Sequence, residues 1–510
     1  MCESHTLTRL EVFHYEFSHK HRLIRGFSMT AVSTLASSRD LLQHKFQQLL
    51  NGKLVDGAAS QPVIDPATGR VIAHAPVADR QQVDDAVAAA KAAFPAWRDA
   101  PVADRADIIR QLANIIEERR DEIARVIVLE NGKPLADATA DVEYSITWAR
   151  HIADMSLDGT VIRDDDEAYV EVRRKPIGVV AAILPWNFPF FQFVYKLAPA
   201  LLTGNTVVVK PSPTTPLSAL LVGEALRSLV PAGVVNIVGD AGEVGPMLTS
   251  HPDVGKVSFT GSTAAGKRVM ASGAETLKRI VLELGGNDSA IVMPDADVKK
   301  TAAGIYTWAF ANSGQVCISI KRIYVHSSLY DSFCDELAER ANNAVVGHGL
   351  DPETELGPIQ NARQFETVKE SLKLAHAQGT VIAGGEVLDG GGYFVRPTVV
   401  RDVDESSPLV SAETFGPIRS VMRYDDVDDA IARANNTPYG LGNSVWGEDL
   451  DAAEQIADRL ESGTVWVNTH FALAPDVPFG GRKQSGLGVE FGREGIEEYT
   501  DAHVIHIARQ

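Results

Sequence analysis

The sequence predicts an α/β protein of two parallel-sheet lobes, and three observations predict it. Continuous apolar runs at Val179–Leu184, Thr206–Lys210, Val234–Val238 and Lys256–Phe259 alternate with helical segments such as Ser218–Leu229. That rhythm marks parallel strands buried on both faces. A second series begins near Ile280 and continues through Ser289–Met293, Ile320–Val325, Val381–Ala383 and Thr464–Asn468. Finally, the 510 residues exceed one core, which stops growing at about 250–300 residues.

Residues 1–48 differ from the rest. Met1 to Phe27 carries His5, His14, His19 and His21 without a periodic apolar face, and it lacks the apolar core and cleavage site of a secretory signal. Arg9, Lys20, Arg22 and Arg25 suit an organelle transit peptide, but Glu3, Glu11 and Glu16 oppose one. A flexible extension ahead of a natural start at Met29 is expected. From Leu50 the pattern becomes regular, with turn chemistry at Asn51-Gly52 and Asp65-Pro66-Ala67-Thr68-Gly69 around short strands. Val83–Trp97 and Ala103–Asn131 read as amphipathic helices, the second with Ile108, Leu112, Ile115, Ile116 and Ile123 on one face and Asn131-Gly132 as its stop. A third helix is expected over Leu135–Met155. After the acidic Asp164–Glu167, the alternation of Tyr169, Glu171 and Arg173 with Val170 and Val172 suggests a strand solvated on one side.

Composition removes several function classes. Lys plus Arg number 48 against 67 Asp plus Glu, a net charge of −19, which repels a phosphate backbone and argues against a nucleic-acid partner. No run of about 18 apolar residues appears, so no membrane helix is expected. Three cysteines, Cys2, Cys317 and Cys334, cannot build a disulfide scaffold; a reducing compartment is expected, with the cytoplasm as default. There is no C-x-x-C and no H-E-x-x-H, so no metal site is expected.

Four motifs carry chemistry. Gly261-Ser262-Thr263-Ala264-Ala265-Gly266-Lys267-Arg268 follows a predicted strand and opens a helix, where backbone N–H groups meet phosphates. Arg268 stands where a P-loop needs Ser or Thr for magnesium, and the spacing is not G-x-G-x-x-G; alone, the turn fits a phosphate or a purely structural role equally. Cys317 follows a Gly314-Gln315 turn, unlike Cys334, which sits on a helical stretch as a small core residue. A nucleophilic thiol needs access, a lowered pKa and nearby donors for an oxyanion. Glu283 precedes Gly285-Gly286, which leaves the space that a general base acting through water requires. Asn187, in Pro185-Trp186-Asn187-Phe188-Pro189, is an amide held between rings and prolines, able to donate to an oxyanion. Each has a bland counterpart: a buried thiol, a capping glutamate, a turn asparagine.

The constellation is more specific than its parts: an amide donor, a basic anchor at Lys210, a phosphate-type turn, a carboxylate, and a thiol 34 residues further on. The chain resembles the NAD(P)-dependent aldehyde dehydrogenase superfamily, of the hydrolytic, non-acylating type. The resemblance runs from about Leu50 to the C terminus. Its matching segments are Pro185–Pro189, Lys210-Pro211-Ser212, Phe259–Gly266, Glu283–Gly286, Gly314–Cys317, Glu413–Pro417 and Pro478-Phe479-Gly480-Gly481.

The resemblance implies a Rossmann-like cofactor domain, an α/β catalytic domain and a small β oligomerisation arm. On this basis residues 1–48 form the extension, 49–157 and 178–285 the cofactor domain, 158–177 the arm, 286–484 the catalytic domain, and 485–510 a segment joining the arm. It also implies that Cys317 is the nucleophile and that Asn187 and the Cys317 N–H hold the oxyanion. Hydride passes to the cofactor, and Glu283 activates the water that hydrolyses the thioester. Trp186, Lys210, Gly261, Ser262, Glu413 and Phe415 match cofactor positions. NAD is favoured, with NADP also open, because Pro213 stands where NAD-preferring members often place a glutamate. The substrate positions are Phe188, Phe191, Gln192, Tyr195, Val316, Ile318, Leu473 and Phe479. Their apolar character and lack of arginine imply a neutral aliphatic or aromatic aldehyde. A semialdehyde or aminoaldehyde is the alternative, with Thr469, His470 or Asp476 deciding, and a CoA-acylating member is a further one that Glu283 opposes. A homodimer or homotetramer is implied, joined through Asp158–Lys175 and Tyr499–Ile507.

Overall fold

Five parallel strands, each buried along most of its length, organise the first half of the chain: Val179–Ile183, Thr206–Lys210, Val235–Ile237, Lys256–Thr260 and Arg279–Glu283. They belong to a computed structural model that describes residues 38–509. Across the sheet they lie in the order third, second, first, fourth, fifth, with Gln48–Leu50 and Gly486–Leu487 pairing antiparallel at the two ends of this set. The order reverses between Val179–Ile183 and Lys256–Thr260, which pair directly. Ligands of open α/β sheets bind in the crevice at the carboxyl ends of strands at such a reversal. Here those ends lead into Pro185-Trp186-Asn187 and Gly261-Ser262.

The second sheet runs Thr380–Ala383, Thr398–Arg401, Ile418–Tyr424, Arg322–His326, Ser289–Val292, Gly442–Trp446, Thr464–Val467, parallel except for its first strand. The mixed α/β architecture is therefore the expected one. The run near Ile280 does not open the second lobe, however. Arg279–Glu283 pairs in parallel with Lys256–Thr260 of the first sheet, and the chain crosses over only after Gly285-Gly286. Ile320 likewise lies outside its strand, which begins at Arg322.

Two further expectations change. Residues 38–48 are not a free extension: Ser38–Gln43 is helical, and Leu41 and Phe46 are buried in the first lobe's core. The histidines of Met1–Phe27, the transit-peptide question and the start at Met29 lie outside the described residues. The helix expected over Ala103–Asn131 is two, Val102–Glu118 and Arg120–Asn131, because Arg119 leaves helical geometry at φ −104°, ψ 15°. The first buries Ile109, Leu112 and Ile116, while Ile108 and Ile115 are half-buried. Gly132 closes the second at φ 94°, its N–H reaching Val128 O, a left-handed position where glycine is cheap.

Glu130, on that second helix, is fully buried and serves another one. Its carboxylate accepts the N–H groups of Leu217 at 2.6 Å and Ser218 at 3.1 Å, in the first turn of helix Leu217–Leu229, which has no side-chain cap of its own. Glu130→Ala strands two buried donors and is expected to cost about 2–4 kcal/mol, read as a lower urea midpoint.

A three-stranded antiparallel sheet stands apart from both lobes, built from Thr160–Asp164, Ala168–Pro176 and Thr500–Ala508. Its outer strands expose Val161, Ile162, Val504 and Ile507, with Ile162 at 65 %.

Candidate active site

The turn after Val179–Ile183 is fixed by its polar neighbours. The Asn187 carbonyl accepts from Asn312 Nδ2 at 3.1 Å, and its own Nδ2 donates to the Gln315 carbonyl at 3.0 Å. Asn131 Nδ2 donates to the Trp186 carbonyl at 2.8 Å. Asn187 is thereby tied across 128 residues to the loop that carries Cys317.

That loop is strained and sealed. Helix Val298–Phe310 ends in Asn312, Ser313 and Gly314, all at positive φ (49°, 55° and 71°), a conformation costing a non-glycine residue about 1–3 kcal/mol. Gln315 is fully buried, bonded through Nε2 to Asn312 O and through Oε1 to the Gln360 N–H. The Gly314-Gln315 turn before the thiol is thus a packed support. Lys321 completes it, its Nζ donating to the Cys317 carbonyl at 2.7 Å and the Val316 carbonyl at 3.0 Å. Burial pushes the half-buried Cys317 thiol up to about 12, and the Lys321 ammonium pulls against that shift.

Glu283 ends the fifth strand, buried, with no hydrogen-bond partner for Oε1. Desolvation, then the negative charge of Glu490, hold its carboxyl well above the usual range, and Lys196 opposes them. Behind it Lys196 Nζ meets Glu490 Oε1 at 2.7 Å and Ser258 Oγ at 2.9 Å, all buried. Neither was singled out from the sequence. Lys196 had a signal, a lone cation on the apolar Phe190–Leu202 stretch; Glu490, 294 residues away, had none. Glycine is required between base and thiol: a Cβ at Gly285 would lie 2.2 Å from Glu413 Oε2, and one at Gly286 2.6 Å from the Cys317 carbonyl.

At the carboxyl end of strand Lys256–Thr260, Ser262 caps helix Thr263–Gly273, accepting from the Ala265 N–H at 3.3 Å. Lys210 ends its strand buried, 3.1 Å from Asp240 Oδ2; Asp240, also not anticipated, is held by the N–H groups of Gly242 and Val244. Glu413 accepts from the Gly286 N–H at 3.1 Å. Trp186 and Phe415 meet edge-on at 5.3 Å.

The expected substrate positions converge. All except Gln192 belong to one aromatic cluster that includes Cys317, and Gln192 lies on the same helix as Phe191 and Tyr195. The cluster adds Trp148, Phe471 and Phe491, the last stacked on Phe479 at 6.0 Å. His470 turns away, its Nε2 on the Ile318 carbonyl, and Asp476 is exposed.

A model of the aldehyde dehydrogenase family matches residues 55–505. A phenylacetaldehyde dehydrogenase of Pseudomonas fluorescens is 39 % identical over 504 residues, covering 94 % of this chain and 99 % of that protein. The NADP(+) succinate-semialdehyde dehydrogenase GabD of Escherichia coli is 39 % identical over 463 residues, covering 89 % and 96 %. Among solved structures, the NAD+ complex of an aldehyde dehydrogenase from Bacillus cereus superposes with a TM-score of 0.90 at 37 % identity, covering 92 % of this chain and 98 % of that one.

Proposed function

The chain belongs to the aldehyde dehydrogenase family, and from that membership we propose that Cys317, Glu283 and Asn187 oxidise an uncharged aliphatic or aromatic aldehyde to its acid. Membership makes the protein an NAD(P)-dependent oxidoreductase acting on the aldehyde group. One observation carries the residue roles: a thiol, a carboxylate with an unpartnered oxygen and an anchored amide converge beside an aromatic wall.

The residues fit the dinucleotide. The first turn of helix Thr263–Gly273 presents backbone donors at the sheet's reversal. A side chain at Gly261 would strike the Phe259 ring at 2.6 Å, so the turn stays bare for a pyrophosphate. Lys210 and Glu413 would hold the riboses, with Trp186 and Phe415 lining the cleft. NAD(P), when bound, supplies the hydride acceptor.

The chain's own groups do the rest. Cys317 Sγ loses its proton to solvent water and, as the thiolate, adds to the aldehyde carbon. Asn187 Nδ2 has two hydrogens; one is on Gln315 O, and the other, with the Cys317 N–H, steadies the oxyanion where charge develops. Oxidation leaves a thioester on Sγ. Glu283 then takes a proton from the attacking water, and the acid leaves. Burial raises the proton affinity of Glu283, Glu490 raises it further and Lys196 opposes both.

A semialdehyde is the second reading, favoured by Lys133, whose ammonium lies 4.0 Å from the Phe188 ring centroid. That charge is already taken by Asp141 at 2.9 Å. The two relatives named for a neutral and an acidic aldehyde are equally identical, so identity does not choose. Reduced-cofactor formation across aldehydes of different length, charge and aromaticity, with NAD and NADP in parallel, tests the proposal. Faster turnover of neutral aldehydes with NAD is expected; a strong preference for succinate semialdehyde defeats it.

The outer strands of the three-stranded arm offer the oligomer contact, since exposed apolar edges attract partners. Replacing Ile162 and Val504 together by Asp is expected to turn a dimer or tetramer into monomer in light scattering. A free thiol nucleophile suits the reducing cytoplasm, and among the described residues no helix is long and apolar enough to cross a membrane.

A further inference from the structure

Gln192 is a primary amide with an unanswered oxygen, on the helix that carries Phe191 and Tyr195 into the aromatic cluster of Cys317. It is 6 % exposed, and its Oε1 accepts from no donor. Burying an acceptor unpaired costs about 1–3 kcal/mol, and buried polar groups otherwise find partners. The residue lies on helix Pro189–Leu202, three residues before Tyr195, so the two share one face. Tyr195 packs in the cluster with Cys317, and the face it shares with Gln192 is therefore the one turned to that cluster.

A donor in the same wall is also unanswered. Nε1 of Trp148, 3 % exposed, has no partner, and the Trp148 ring meets Phe191, the neighbour of Gln192, edge-on at 5.1 Å. The cations packed against this aromatic wall are paired, Lys133 with Asp141 and Lys196, whose Nζ lies 5.1 Å from the Tyr195 ring centroid, with Glu490, so neither offers a free charge with which to select a carboxylate or an ammonium. The group that answers an amide oxygen and an indole N–H in a dry, uncharged wall is a hydroxyl, which both donates and accepts.

Resting on the aldehyde oxidation argued above, we propose that Gln192 is a specificity-determining residue that selects uncharged aldehydes bearing a hydroxyl, which donates to its Oε1. The hydroxyl is bound and not transformed; the only bonds that change are those of the aldehyde carbon.

The test compares kcat/KM within pairs that differ only by the hydroxyl: benzaldehyde with its meta- and para-hydroxy forms, phenylacetaldehyde with its para-hydroxy form, and octanal with its terminal hydroxy form. The wild type is expected to favour the hydroxyl member of at least one pair by about tenfold or more. Gln192→Met, close in shape but without the amide, is expected to bring that ratio near one, with NAD affinity and Cys317 titration reporting an intact fold. Should Gln192→Met fail to fold, the wild-type ratios and Gln192→Leu decide. Equal turnover within every wild-type pair, or a preference that survives in the variant, overturns the inference alone. Silence on every aldehyde overturns the oxidation reading and this inference with it.

Discussion

Cys317→Ala is expected to lower aldehyde oxidation by about 10⁴-fold or more while leaving the cofactor cleft intact. The size follows from the absence of a substitute. The other described cysteine, Cys334, is fully buried in the second lobe's core on helix Tyr330–Asn343, where no substrate reaches it. Alanine fills the position without disturbing the carbonyl that Lys321 holds, so lost chemistry rather than a collapsed loop is measured. Reduced-cofactor absorbance gives the rate, and a fluorescence titration with NAD checks the cleft. Because burial raises the wild-type thiol to about 12, alkylation by iodoacetamide is expected to keep accelerating with pH beyond the ordinary thiol range. Labelling that levels off near neutrality would contradict the resting state described.

Glu283→Gln separates the two halves of the reaction. Glutamine keeps the shape at the end of Arg279–Glu283 but takes no proton from water. Steady-state kcat is expected to fall by about 10²–10⁴-fold, while one burst of reduced cofactor per thiol remains, because the thioester forms and then waits. Loss of the burst would mean that Glu283 acts before the thioester. The wild-type pH profile follows from the same burial. A carboxyl whose pKa is raised in the folded chain is still protonated where an ordinary one has ionised, so the acid limb of kcat lies above the usual carboxylate range and disappears in Glu283→Gln. For stability, the raised pKa favours folding below the unfolded carboxyl's pKa, and that contribution is lost as pH rises through the folded one.

What the sequence revealed depends on how local each signal is. Strands such as Thr206–Lys210, buried at every position, announce themselves as unbroken apolar runs. Their sheet does not: Ile280 reads correctly as strand but gives no sign that its partner is Val257. The break at Arg119 was hidden because arginine is a good helix former and the reason lies in packing. Cys317, Glu283 and Asn187 stood out through the glycines and prolines around them. Lys196 and Glu490 meet only in the folded chain, and so do Lys210 and Asp240. The unpaired oxygen of Gln192 is a property of three dimensions that no spacing encodes.

The last turns of the chain visit three places in succession. Gly486–Leu487 closes the first sheet beside Glu283, Glu490 enters the buried cluster around Lys196, and Thr500–Ala508 completes the outer arm along the whole of Ala168–Pro176. Synthesis proceeds from the other end, and both lobes emerge from the ribosome first. The catalytic interior therefore has no finished form until the segment from Gly486 through Ala508 has been made. A polypeptide clipped or terminated just before Gly486 loses a sheet edge, a buried charge and an arm strand at one stroke, so that a chain must extend through that segment to become enzyme.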